Sequence, residues 1–124
     1  MSARILFIED NEFHREVVAE YLNSKGYETL SLANGLNFRD CLERFQPDLI
    51  LLDIRLNIGA DGFELIKQLR RSRWSALPVI IFSAYSFPSD KQKAQELGVR
   101  HFLVKPTILS KIYQVITEEL NASD

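Results

Sequence analysis

The sequence lacks several features that would place it in common classes of protein. It has one cysteine, Cys41, so no internal disulfide can form, and a reducing compartment is expected. Its longest apolar runs, such as Leu49–Leu52 and Val79–Phe82, are far too short to span a membrane. The N-terminus has no signal-peptide layout. We therefore expect a cytoplasmic protein with no membrane partner.

The sequence also has no strong excess of charge, no repeat and no linker. Its formal net charge is −2, so it has no broad positive field, and we expect no direct binding to nucleic acid. Its 46% hydrophobic content is typical of a globular chain and argues against disorder. A length of 124 residues fits one domain, which we expect to cover residues 1–124.

Short apolar runs alternate with amphipathic segments along the whole chain. Strands are predicted at Ile5–Ile8, Tyr27–Leu32, Leu49–Leu52, Val79–Phe82 and Val99–Val104. A helix is predicted after each strand, with the last one carrying apolar residues from Ile108 to Leu120. The order βαβαβαβαβα predicts a parallel sheet covered on both faces. In such sheets, ligands bind beyond the carboxyl ends of the strands.

Polar residues follow four of the five predicted strands. They are Glu9-Asp10, Asp53, Ser83 and Lys105-Pro106. Each has an ordinary explanation when taken alone: Asp10 or Asn11 would cap a helix, Asp53 would be a turn residue, and a lysine is usually solvated. The ordinary explanations require four independent coincidences at one edge of the sheet, whereas a shared functional site requires a single cause. We therefore predict a functional site at this edge.

The predicted site has a definite chemistry. Glu9, Asp10 and Asp53 would bring three carboxylates together, and at about 4 Å each pair repels by roughly 4 kcal/mol at an effective dielectric near 20. A proton or a cation must relieve that repulsion, and oxygen ligands of this kind suit Mg²⁺. Lys105 adds an ammonium and Ser83 a hydroxyl. Together these groups suit phosphoryl transfer, in which a carboxylate can itself take the phosphoryl group.

With these motifs in order, the sequence resembles a response-regulator receiver domain of two-component signalling over almost its whole length. The segments that carry the resemblance are 5–11, 48–53, 61–65, 78–84 and 102–106. The resemblance implies an α/β, flavodoxin-like, doubly wound five-stranded parallel sheet in the order 2-1-3-4-5 with five helices. It implies a phosphoacceptor switch rather than an enzyme. The implied partners are a sensor histidine kinase or phosphotransfer protein, and a homodimer through the face of the fourth helix, fifth strand and fifth helix.

The resemblance also assigns roles at the metal and phosphoryl site. Asp53 corresponds to the phosphoacceptor, and Lys105 to the lysine that contacts the phosphorylated carboxylate. Asp10 corresponds to a direct Mg²⁺ ligand, with Glu9 in the outer position. Asp53 and the backbone carbonyl of Arg55 complete the protein's share of the metal shell.

Further roles concern the switch. Ser83 corresponds to the hydroxyl that bonds the phosphoryl group, and Phe102 to the aromatic that turns inward with it. From the sequence alone, an ordinary core aromatic is the preferred interpretation of Phe102. The resemblance implies a cis Lys105–Pro106 bond, although X-Pro bonds in folded proteins are cis only about 5–6% of the time.

Some positions depart from the family pattern, and three other functions are compatible with an α/β sheet of this kind. The loop after Asp53 is one residue longer than usual and carries Asn57 where proline is typical. We predict that Arg55 and Tyr85 crowd the approach of water and slow loss of the phosphoryl group. A haloacid-dehalogenase-type phosphatase is disfavoured because the nucleophile that ends its first strand should be followed, two residues on, by a second Asp, whereas Asp10 is followed by Asn11-Glu12, and because no cap domain fits in this length. A flavodoxin is disfavoured because Glu9-Asp10 would repel its phosphate. A pseudo-receiver that no longer takes a phosphoryl group is disfavoured by the presence of Asp53, Asp10, Lys105 and Ser83.

Overall fold

The computed structural model describes residues 2–56, 59, 61–84 and 87–122. Its elements are β1 (Arg4–Ile8), α1 (Glu12–Ser24), β2 (Glu28–Leu32), α2 (Phe38–Phe45), β3 (Leu49–Leu52), α3 (Gly62–Arg70), β4 (Val79–Ser83), α4 (Pro88–Glu96), β5 (His101–Val104) and α5 (Leu109–Ala122). This confirms the predicted alternation. Within these ranges, no helix has the length and apolar character needed to cross a membrane.

The five strands form one parallel sheet in the order β2-β1-β3-β4-β5, as predicted. In register, Ile8 of β1 lies between Leu32 of β2 and Leu52 of β3. On the other side of β3, Leu52 pairs with Ile81 of β4. The strands thus end at nearly the same level, which brings the residues that follow them to one edge.

Alternate side chains of the central strands supply two separate apolar layers. In β1, Ile5 and Phe7 pack with α1 and α5, whereas Leu6 and Ile8 pack with α2, α3 and α4. β3 and β4 divide in the same way, and all of their side chains are buried. Unbroken apolar strands are therefore the expected sequence of a sheet covered on both faces. The half-buried Cys41 packs against the layer on the α2 side.

Two strands begin later than predicted, while β1 begins one residue earlier, at Arg4, and β4 ends one residue later, at Ser83. β5 begins at His101 and not at Val99, because the Val99 N–H donates to the Ala94 carbonyl at 2.9 Å and so completes the end of α4. Gly98 permits this turn with its φ of 77°. β2 begins at Glu28, one residue later than predicted.

Candidate functional site

Backbone hydrogen bonds that continue past the strand ends fix the predicted site residues. The Glu9 N–H donates to Leu32 at 2.9 Å, and the Asp53 N–H donates to Ile8 at 3.0 Å. The Lys105 N–H donates to the Ser83 carbonyl at 2.8 Å. The hydrogen-bond pattern of the sheet therefore continues to these three residues, although each lies just beyond the end of its strand, and their backbones are held in place.

Lys105 joins two of the carboxylates. Its Nζ donates to Glu9 Oε1 and, at 3.1 Å, to Asp53 Oδ2. The side chains of all three are at most 12% exposed, so water screens these ion pairs only weakly. The Lys105–Pro106 peptide bond is cis, as the resemblance implied.

Glu9, Asp10 and Asp53 form the predicted acidic cluster. One carboxylate oxygen from each lies within 4.8 Å of the others. Hard oxygen donors at such separations are the donor set that Mg²⁺ takes from proteins, with water filling the remaining positions. The residues therefore fit a divalent cation.

Glu9 is buried, and its surroundings alter its acidity. Burial raises the pKa of Glu9 from 4.5 to about 7, and the nearby charge of Asp53 also raises it. The hydrogen bond and the positive charge of Lys105 oppose this rise, as does the hydrogen bond from the Asn11 N–H. For Lys105, burial lowers the pKa, but the hydrogen bonds and charges of Glu9 and Asp53 outweigh burial, so the net shift is upward. Lys105 therefore stays an ammonium at neutral pH.

Asn11, and not Asp10, caps α1. Its Oδ1 accepts a hydrogen bond from the His14 N–H at 2.9 Å, which settles the choice that the sequence left open. The Asp10 carboxylate is therefore available to the acidic cluster, where it is half-buried.

Arg55 contacts Asp53 through its backbone and a distant residue through its side chain. Its N–H donates to Asp53 Oδ1 at 3.0 Å. Its guanidinium donates to Asp90 Oδ2 at 2.8 Å, and Asp90 is buried in the first turn of α4. Sequence reasoning missed Asp90, because an acidic residue after Pro88 is typical of any helix start.

The loop after Asp53 closes against the start of α3 at Gly62. The Gly62 N–H donates to the Ile54 carbonyl at 3.0 Å. A Cβ at Gly62 would lie 2.4 Å from Ile54 Cα and 2.9 Å from the Asp53 carbonyl oxygen, so only glycine fits there without a shift of the backbone. Asp61 caps the helix by accepting from the Glu64 N–H at 3.0 Å.

The predicted switch residues lie on neighbouring strands, where Phe102 of β5 pairs in register with Ile81, two residues before Ser83 of β4. Ser83 is the buried last residue of β4, whereas Phe102 is half-buried and packs on the side of the sheet that α2, α3 and α4 cover. Phe102 also lines a cavity of about 520 Å³ beside α4. Asn57 and Tyr85 lie outside the described residues.

The chain is similar in sequence and in fold to proteins of one known family. The family model described as the response regulator receiver domain matches residues 5–117. The chain belongs to the response regulator receiver domain family. It is therefore a phosphoacceptor signalling domain of two-component systems and not a classical enzyme. This assignment rules out the phosphatase and flavodoxin interpretations.

The relatives of this receiver domain match it over nearly their whole lengths. It is 32% identical over 120 residues to sporulation initiation phosphotransferase F of Bacillus subtilis, covering 97% of this chain and 95% of the relative. It is 29% identical over 121 residues to the polar-differentiation response regulator DivK of Brucella anthropi, covering 97% and 98% of the two chains.

Solved structures agree on the fold of the receiver domain. A response regulator receiver protein from Pseudomonas putida superposes with a TM-score of 0.88 at 28% identity, covering 96% of this chain and 98% of the other. A CheY-like receiver domain protein from Methanospirillum hungatei gives a TM-score of 0.91 at 22% identity, covering 99% and 97%, which supports the fold alone. The predicted strand order and class are thus confirmed.

Proposed function

We propose that Asp53 accepts a phosphoryl group from a phosphohistidine of a sensor histidine kinase or phosphotransfer protein, in a reaction that requires Mg²⁺. The observation that carries the proposal is the pair of contacts on its carboxylate. The Lys105 ammonium lies 3.1 Å from Oδ2, and the Arg55 N–H lies 3.0 Å from Oδ1. The Glu9 and Asp10 carboxylates beside it supply the further ligands of a cation site.

The transfer is a displacement at phosphorus. A carboxylate oxygen of Asp53 forms the new O–P bond while the P–N bond of the phosphohistidine breaks, and the electron pair of that bond returns to the imidazole nitrogen. Two fixed donors orient the nucleophile, so little reorganisation is needed when charge develops. Lys105 stays charged because of its two carboxylate partners, and it can follow the phosphoryl oxygens.

Glu9, Asp10, Asp53 and the Arg55 carbonyl are the groups that would hold Mg²⁺. When bound, Mg²⁺ supplies positive charge to the phosphoryl oxygens and relieves the repulsion among the carboxylates. The protein's own part is to place one oxygen from each of the three carboxylates within 4.8 Å of the others before the ion arrives. Because these carboxylates are already close together, the cluster should bind Mg²⁺ more tightly than isolated surface carboxylates would.

Ser83 and Phe102 are proposed to report phosphorylation to the surface. Ser83 lies at the end of the strand beside β3, and its hydroxyl would donate to the new phosphoryl group. Phe102 borders a cavity, and so has space into which its ring can move. Four expectations stay predictions. They are a homodimer through α4, β5 and α5, the lack of a nucleic-acid partner, a cytoplasmic location, and a domain that extends over residues 1–124.

The test is phosphorylation with a small donor. Incubation with acetyl phosphate and Mg²⁺ should add the mass of one phosphoryl group to the intact protein, and chelation of Mg²⁺ should prevent this. Asp53→Asn should abolish the gain. Asp61→Asn is the matched control, since Asp61 follows the same loop but only caps α3, a task that asparagine performs as well.

The outcomes of this experiment distinguish a phosphoacceptor at Asp53 from a pseudo-receiver that takes no phosphoryl group. Mass gain that persists in Asp53→Asn would assign the phosphoryl group to another residue. No gain in the wild type, either from acetyl phosphate or from a phosphorylated histidine donor, would leave a pseudo-receiver as the better description.

A further inference from the structure

Arg55 connects the carboxylate of Asp53 to helix α4. Its backbone N–H is bonded to Asp53, while its guanidinium is bonded to Asp90, 35 residues later in the chain. The Arg55 side chain is 42% exposed, whereas that of Asp90 is only 5% exposed. A single residue therefore links the centre of the site to the first turn of the helix that follows Ser83.

Because Asp90 is buried in the first turn of α4, its ion pair with Arg55 favours one position of that turn. The carboxylate sits in the first turn of the helix, where the helix dipole favours negative charge, and Phe87 at the N-cap offers no side-chain cap. A buried carboxylate that loses its cation is costly, because it is poorly solvated. The first turn of α4 is therefore held where Arg55 can reach it.

We propose that the Arg55–Asp90 ion pair is a latch that phosphorylation of Asp53 releases. The inference rests on the proposed role of Asp53. An aspartyl phosphate places new negative charge beside Arg55, and a planar guanidinium matches the oxygens of a phosphoryl group. Since the backbone of Arg55 is already bonded to Asp53, its side chain can exchange partners by rotation alone.

The exchange of partners has two consequences. The Arg55 guanidinium becomes a direct hydrogen-bond donor to the phosphoryl group and joins the Lys105 ammonium as a second cationic side chain on that group. Asp90 loses its partner, which frees the first turn of α4 to move. Asp90 is thus a competitor of the phosphoryl group, and its charge should weaken the binding of any phosphoryl analogue.

A double-mutant cycle with beryllium fluoride and Mg²⁺ measures this competition. Calorimetric titration gives the affinity of the wild type, Asp90→Asn, Arg55→Gln and the double variant. Asp90→Asn should tighten binding by about 5-fold or more when Arg55 is present, the lower end of ordinary coupling between sites. In the Arg55→Gln background the same substitution should have little effect, since no guanidinium is left to release.

A matched control is the exposed ion pair of Arg44 with Asp40 in α2, whose Nε–Oδ1 distance is 3.0 Å. Its disruption by Asp40→Asn should leave the affinity for beryllium fluoride unchanged. A second measurement does not depend on replacing the buried Asp90. In NMR spectra of the protein without ligand, Arg55→Gln should shift the amide resonances of the first turn of α4. They should move toward the positions that they have in the wild type bound to beryllium fluoride and Mg²⁺.

Each result bears on one of the two proposals. Equal effects of Asp90→Asn in both backgrounds, or weaker binding with Arg55 present, would overturn the latch while leaving Asp53 as the acceptor. So would unchanged α4 resonances in Arg55→Gln. A wild type that binds no beryllium fluoride would instead overturn the proposed function, and the latch with it.

Discussion

Replacing Lys105 by methionine is expected to destabilise the metal-free domain by about 3–5 kcal/mol at about pH 8, the usual cost of breaking a buried ion pair. The Nζ–Oδ2 distance to Asp53 is 3.1 Å, which gives about 5 kcal/mol of attraction at an effective dielectric near 20. Return of the ammonium to water in the unfolded chain offsets part of this attraction, and loss of the bond to Glu9 adds to the cost. Methionine keeps the length of the apolar stem, so packing changes little.

The penalty should depend on pH, because Glu9 titrates in the accessible range. The pKa of Glu9 is raised from 4.5 to about 7, so its protonated form contributes stability below about pH 4.5 that is lost as the pH rises through 7. Lys105 lowers that pKa, so its removal raises the pKa of Glu9 further and makes the total loss of stability at high pH larger. The cost of Lys105→Met should therefore be clearly smaller at about pH 5, where Glu9 is mostly neutral.

Urea unfolding in the presence of a chelator measures this effect at both pH values. Lys111→Met, at an exposed position of α5, is the control and should change stability by no more than about 0.5 kcal/mol. Added Mg²⁺ should recover part of the loss in Lys105→Met by ligand linkage. A penalty that is equal at pH 5 and pH 8 would refute the reasoning, because it would show that Lys105 acts by packing and not by charge.

Three further predictions concern neighbouring residues. Glu9→Gln should flatten the pH dependence of unfolding between about pH 4.5 and 7 in the metal-free protein, and a curve as steep as that of the wild type would assign the titration to another group. Gly62→Ala should cost about 1–3 kcal/mol of unfolding free energy and weaken Mg²⁺ binding, since the new Cβ would lie 2.4 Å from Ile54 Cα; a stable variant with normal Mg²⁺ affinity would contradict the close contact. Asn11→Ala should cost about 1 kcal/mol through loss of the α1 cap, and Asn11→Asp should restore it; equal stability of the alanine and aspartate variants would argue against the cap.

The sheet and the residues at its edge were predictable from the sequence, for a physical reason. Strands buried on both faces need unbroken apolar runs, so β3 and β4 stand out, and polar residues after such runs must come together at one edge. The grouping of Glu9, Asp53 and Lys105 follows from that rule. Element ends were less predictable, as Val99 shows, because its N–H completes α4 before β5 begins.

Other features depend on information that a sequence pattern does not hold. The cis bond before Pro106 came from family resemblance, since the residue types alone favour trans. The pairing of Arg55 with Asp90 depends on how a long side chain crosses from one loop to the next helix. Neither spacing nor charge patterning encodes such a contact over 35 residues.

The bond from Lys105 to Glu9 joins positions 96 residues apart, so it has a consequence for synthesis of the protein. A chain emerging from the ribosome contains all three carboxylates well before the fifth strand is made. Until that strand docks beside β4, the three carboxylates repel one another, because the Lys105 ammonium is not yet in place between them. Competence to take a phosphoryl group should therefore arise late and all at once, which makes phosphorylation a marker of completed folding.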